Sequence, residues 1–130
     1  MARRLISSGG PWEARSGYSR AVVVGDDAFV SGTTDAGRDG LSQHPNNPRG
    51  QAEAALDIIR RALESAGFSL ADVVRTRMYV TDAADIEPVT TVHGEVFAEI
   101  RPAATVVVVA ALIDPSLLVE IEVDARRTSA

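Results

Sequence analysis

From Thr105 to Ala111 every residue after the threonine is apolar, and four consecutive valines occupy 106–109. A β-branched run of this kind favours a strand. Because successive side chains on a strand point to opposite faces, both faces of this one are apolar and both need cover. The rest of the chain supplies only half of that cover. Two segments carry apolar residues at helical spacing. The first is Arg49–Ala66, with Ala52, Ala55, Leu56, Ile59, Ala62, Leu63 and Ala66 on one face and Gly67 as its stop. The second begins near Asp85, a candidate cap, tolerates Pro88 in its first turn, and places Ile86, Val89, His93, Val96, Phe97 and Ile100 inward before Arg101-Pro102 ends it. Two helices cover one face of a sheet, so the other face calls for a second copy of the chain, and an obligate homo-oligomer is expected.

The remaining strands are legible from alternation and turn residues. Arg20–Val24 and Ala28–Thr33 flank Gly25-Asp26-Asp27 and read as a hairpin. Val73–Thr81 alternates, with Val74, Thr76, Met78 and Val80 on one side and Arg75, Arg77 and Tyr79 on the other. Leu117–Ala125 places Val119, Ile121 and Val123 opposite Glu120, Glu122 and Asp124. The order is β-β-α-β-α-β-β, with a further short strand near Leu5. The expected fold is α+β: one domain over 1–130, a sheet of five or six strands and two helices on one face. The stretch Thr34–Pro48 is loop-like, and a loop of that length in a small domain covers something or orders against a neighbour.

Composition removes several chemistries. The chain has no cysteine, so disulfides and thiolate ligands or nucleophiles are excluded. All thirteen basic residues are arginine, so there is neither a Schiff-base lysine nor a Walker lysine. The two histidines, His44 and His93, lie far apart in sequence with no HExxH, which argues against a metal site within one subunit. A net charge of −5 without a basic stripe or stacking aromatics speaks against nucleic acid. The apolar run from Ala103 to Ile113 is too short to span a bilayer. Met1-Ala2-Arg3-Arg4-Leu5-Ile6 leads into Ser7-Ser8-Gly9-Gly10-Pro11 without an apolar signal core, and a cytoplasmic location is expected.

Gly17-Tyr18-Ser19-Arg20-Ala21, Phe29-Val30-Ser31-Gly32-Thr33, Gln51-Ala52 through Ala66-Gly67, Asp72-Val73-Val74, Tyr79-Val80-Thr81-Asp82, Arg101-Pro102-Ala103 and Val119-Glu120-Ile121-Glu122-Val123 are spaced as in the reactive intermediate deaminase family, the RidA or YjgF family. The chain resembles that family over nearly its whole length. The resemblance implies a chorismate-mutase-like fold and a homotrimer with small-molecule clefts between subunits. It also implies hydrolysis of reactive 2-imino acids and their enamine tautomers to 2-keto acids and ammonia, without metal or organic cofactor. In the family an arginine fork holds the substrate carboxylate while a positioned water attacks the imine carbon. That arginine belongs to a Pro-Ala-Arg-[Ser/Thr] pattern, where this chain reads Pro102-Ala103-Ala104-Thr105. Position 90 also departs, with Thr for Asn, and Ala111 stands where Arg is sometimes found.

By this resemblance Glu120 is the catalytic candidate, and Tyr18, Ser31, Gly32, Thr33, Thr90, Ala104 and Thr105 are the ligand-binding positions. The residues themselves leave alternatives open. Glu120 serves as general base, or it pairs with Arg75 or Arg77 from a neighbouring strand. Tyr18 lines a pocket or packs at a rim, and Thr90 and Thr105 bind a ligand or simply complete a helix and a strand. His93 reads as a core or interface histidine and His44 as solvent-exposed. Arg20, Arg77 and Arg101 are the candidates to replace the missing clamp. Two functions remain in view. One is hydrolysis of an imine or enamine C–N bond in a substrate other than a standard 2-imino acid, and the other is binding of a small metabolite without catalysis.

Overall fold

The computed structural model describes residues 2–128; Met1, Ser129 and Ala130, the ends of the expected 1–130 domain, lie outside the described residues. Six strands form one mixed sheet: β1 (Arg3–Ile6), β2 (Ala21–Val24), β3 (Asp27–Thr33), β4 (Val73–Val80), β5 (Ala103–Val108) and β6 (Val119–Arg126). Their spatial order is β1-β2-β3-β6-β4-β5. Only β4 and β5 run parallel, and the helix between them makes the crossover that a parallel pair requires. The three helices are α1 (Pro11–Ser16), α2 (Pro48–Ser65) and α3 (Ile86–Phe97).

α2 is the main cover of the sheet. Pro48 sits in its first turn, Asn47 caps it by accepting from the Gly50 amide at 2.9 Å, and Gly67 leaves it with a φ of +87°. Its inner face buries Ala52, Ala55, Leu56, Ile59 and Leu63 over Val30, Ile121 and Val123, while Asp57, Arg60 and Glu64 pair along the outside. Fully burying side chains such as Ile59 and Leu63 contributes about 1.5–3 kcal/mol each. Gln51, with no exposed surface, ties the loops to this helix. It donates to the His44 and Ser116 carbonyls at 3.1 and 3.0 Å and accepts from the Leu118 amide at 2.8 Å.

Several expectations are corrected. The apolar strand spans Ala103–Val108 rather than 105–111, and it is a sheet edge whose side chains are mostly exposed, not buried on both faces. It has a single neighbour, β4, and only Val106 packs against the core. Within one chain its other apolar side chains therefore have nothing to cover them. At the start of β4 it is Val73 that is buried and Val74 that is half exposed, because a bulge between Val73 and Arg75 reverses the alternation there. Asp85 offers no side-chain cap to α3; Asp82 instead caps the short turn before it, accepting from the Ala84 amide at 2.8 Å. α1 was not expected from periodicity, since six residues are too few to show one.

The face of the sheet turned away from α2 and α3 carries Leu5, Val22 and Phe29, cross-strand neighbours on β1, β2 and β3, and Val107 on β5. Leu5 is 64% and Phe29 48% exposed. Among the described residues, no helix is long and apolar enough to cross a membrane.

Candidate functional site

The site begins where β3 and β6 fall out of register. Val30 faces Val123 and Thr33 faces Ile121, so β3 carries one residue more than its partner across Ser31-Gly32. Glu120 of β6 folds into this irregularity. Its carboxylate lies over Gly32, and a Cβ there would come within 2.9 Å of the Glu120 Cδ and nearer still to Oε2. Only glycine leaves room for the acid in this position.

Arg20 holds the other side of the same strand end. It is 8% exposed, and its Nη1 donates to the Gly32 carbonyl at 2.8 Å and to Thr33 Oγ1 at 2.9 Å. Its guanidinium lies over the Tyr18 ring, 5.6 Å from the centroid. The countercharge comes from Glu13 of α1, whose Oε2 is 3.7 Å from Arg20 Nε. Burial pushes the Glu13 carboxyl up, but hydrogen bonds from Ser8 and Ser7 and the charge of Arg20 outweigh it and hold the group below its ordinary value. Arg20 and Glu13 thus form a buried, paired framework behind the Ser31–Thr33 backbone.

Around this framework lies a cavity of about 520 Å³, lined by Trp12, Tyr18, Arg20, Ser31, Gly32, Thr33, Glu120 and Glu122. A smaller one of about 250 Å³ on the far side of Glu120 is walled by Tyr79, Val109, Ala111 and Leu112. Glu120 is half-buried between them. Burial first, and then the charge of Glu122, raises its pKa, against a lowering by Arg20. Glu122 accepts the Tyr79 hydroxyl hydrogen bond. Arg77 turns to Asp124 at 3.4 Å. Among the described residues, neither Arg75 nor Arg77 forms an ion pair with Glu120.

Tyr18, Ser31, Gly32, Thr33 and Glu120 therefore meet in one place. The hydroxyls of Ser31 and Thr33 are engaged inside the protein, donating to the Ser19 carbonyl at 2.6 Å and the Ser31 carbonyl at 2.7 Å, so they brace the strand end. Thr90, Ala104 and Thr105 line neither cavity beside Glu120. Thr90 donates to the Ile86 carbonyl of its own helix at 2.8 Å, while Ala104 and Thr105 lie exposed on β5 beside Thr76 and Arg77. Near Ala104, the His93 Nε2 lies 2.8 Å from Thr76 Oγ1, and burial lowers the pKa of that imidazole. His44 is exposed and has its Nδ1 3.0 Å from the buried Asp35 Oδ2. Of the three candidate replacement arginines, Arg20 alone reaches the cavity; Arg101 is exposed with a φ of +55°.

Glu13, Trp12 and Glu122 were not singled out from sequence. Glu122 was visible as a second acid on the same strand face, but the first two depend on α1. Among the described residues, no three His, Asp or Glu side chains are grouped to hold a metal ion.

Residues 11–127 match the family described as Endoribonuclease L-PSP. The chain belongs to this family. A crystal structure from Mycobacterium tuberculosis, described as a member of the YjgF/YER057c/UK114 family, is 46% identical and superposes with a TM-score of 0.88 over 97% of this chain and 100% of that one. A Rid-family protein of unknown function from Yersinia pestis is 28% identical with a TM-score of 0.84, covering 97% and 100%. Among curated relatives, an uncharacterized protein of Streptomyces coelicolor is 36% identical over 97% of this chain and 93% of its own length. A RutC family protein of Pyrococcus horikoshii is 32% identical over 81% and 82%. The α+β fold and its six-stranded mixed sheet are those of YjgF-family structures.

Proposed function

We propose that this YjgF/Rid protein hydrolyses the C–N bond of an imine or enamine whose reacting carbon bears no carboxylate, in clefts shared between subunits of a homotrimer. One observation carries the reading: a half-buried carboxylate with a raised pKa, held over a glycine inside a cavity. A carboxylate of raised pKa is a stronger base than an exposed one and suits proton transfer near neutral pH. Glu120 takes a proton from water as the oxygen adds to the electrophilic carbon of R₂C=NH. The same proton then goes to nitrogen, giving the carbinolamine R₂C(OH)NH₂; Glu120 next takes the hydroxyl proton and passes it to the amine as the C–N bond breaks, and R₂C=O and NH₃ leave. Tyr18 and Arg20 are among the polar groups that line this cavity. Beside Glu120 and Glu122 a substrate carboxylate would meet like charge, and Ala104 offers no guanidinium to counter it.

The trimer rests on the uncovered sheet face with Leu5, Phe29 and Val107, and on family membership. Assembly would also bring Thr90, Ala104 and Thr105 of one subunit to a neighbour, which a single chain leaves apart from Glu120. RNA cleavage, the activity named in the family description, is disfavoured by the two carboxylates, which repel phosphodiesters.

The test generates imines in situ with a flavin amine oxidase (no carboxylate on the reacting carbon) and with an amino-acid oxidase (2-iminobutyrate), and follows ammonia release. Wild-type protein is expected to accelerate the first, Glu120→Ala to abolish that acceleration, and Ala104→Arg to gain activity on 2-iminobutyrate. If wild type accelerates neither imine as a folded oligomer, the alternative of a non-catalytic metabolite-binding protein replaces this reading.

A further inference from the structure

The cavity beside Glu120 does not end at Arg20. A second recess of about 450 Å³ shares Ser8, Arg20, Gly37 and Ile58 with it, so the two form one cleft that passes the Arg20 side chain. The second arm follows α2 from Ile58 to Ser65. The seven steps from Ile58 to Ser65, at 1.5 Å each, make this arm roughly 10 Å long.

The two arms have opposite chemistry. Glu120 and Glu122 line the first, whereas the second has Arg38 and Arg61 and no acidic residue in its wall. Arg20, at the junction, is already matched by Glu13. Arg61 commits its Nε to Asp57 at 3.1 Å, which leaves its terminal amino groups available, and Arg38, from the loop before α2, is exposed and lines the same recess. Two guanidinium groups lining one recess are suited to a carboxylate or a phosphate.

We infer that this second arm is an anion-binding subsite, and that the substrate of the Glu120 centre carries its carboxylate or phosphate several bonds away from the carbon that reacts. This rests on the hydrolytic reading above and gives it a substrate class. An anion on the reacting carbon would sit against Glu120 and Glu122. The same anion carried past Arg20 into the second arm meets Arg38 and Arg61 instead, while the nitrogen end, positive when protonated, meets the carboxylates.

Stable amines serve as probes in calorimetric titrations. 6-Aminohexanoate and 5-aminopentyl phosphate present an ammonium and a remote anion, hexylamine lacks the anion, and glycine places it next to the nitrogen. At least one of the two long anionic probes is expected to bind ten or more times as tightly as both hexylamine and glycine, and the stronger of the two identifies the anion. Arg38→Gln/Arg61→Gln should erase that advantage while leaving hexylamine unchanged. Equal binding of hexylamine and both long anionic probes, or an advantage that survives the double variant, overturns the subsite. The two readings fail separately. An absent chain-length advantage with Glu120-dependent hydrolysis intact removes the subsite alone. An arginine-dependent advantage without Glu120-dependent hydrolysis keeps the subsite and removes the reaction.

Discussion

Gly32→Ala isolates the position of the Glu120 carboxylate from its presence. The backbone at Gly32 is not in the left-handed region, so alanine brings no backbone strain, and the three atoms nearest its methyl all belong to the Glu120 side chain. The new methyl would lie 2.9 Å from Cδ and 3.3 Å from Cγ, where ordinary contact begins at 3.4 Å. Cδ must retreat by about 0.5 Å and Oε2 by about 1.5 Å. Because the obstructing atoms are the end of a flexible side chain, the relief is a rotamer change costing about 0.5–1.5 kcal/mol rather than loss of the fold. A misplacement of about 1 Å at a reacting group costs on the order of 100-fold in rate. The variant is therefore expected to lose about two orders of magnitude in kcat for imine hydrolysis while its Tm falls by only a few degrees. The assay is ammonia release from amine-derived imine, with thermal unfolding in parallel. A Gly32→Ala protein with wild-type kcat would refute the reasoning, because a base free to act from a displaced position was never positioned by Gly32.

Two further outcomes follow from the same geometry. Burial first, and the Glu122 charge second, hold the Glu120 carboxyl above its ordinary value near 4.5, so the folded state keeps this proton to higher pH than the unfolded chain and loses stability as pH rises between the two values. Glu120→Gln should therefore match wild type in urea unfolding well below that ordinary value and become relatively more stable as pH rises through it. Activity should climb over the same interval as the base ionises, and a stability difference independent of pH would contradict this. On the open sheet face, Phe29→Glu places a charge where Leu5, Val22 and Phe29 form an apolar row, and burying the exposed half of that ring contributes about 1 kcal/mol per subunit. Sedimentation equilibrium should show a trimer becoming a monomer with unchanged far-UV circular dichroism; a variant that stays trimeric puts the contact on another surface.

The elements most legible in sequence are those whose pattern is local. α2 and α3 showed a helical face, β4 and β6 showed alternation, and their bounds fell within one to three residues of expectation. Pairing was not legible: nothing local says that β6 inserts between β3 and β4, or that β5 runs parallel to β4 at the edge. Those placements depend on contacts far apart in the chain, and the Val73 bulge that reverses Val74 depends on the β6 register. The site divides the same way. Tyr18, Ser31, Gly32, Thr33 and Glu120 were singled out by the family resemblance, but the reason they line one cavity was not legible. Arg20 reads as one candidate to replace the missing clamp, and it becomes a buried brace only because Glu13 arrives on a helix too short to leave a periodicity. The apolar run that first demanded a second cover belongs to this argument too. β5 is exposed in one chain, as the proposed trimer requires of a face that a neighbour would cover, and Ala104 and Thr105 lie on it. A sequence can place such residues in a site, but a single subunit leaves them outside its cavity, and the difference between the two placements is itself a reason to look for the neighbouring copy.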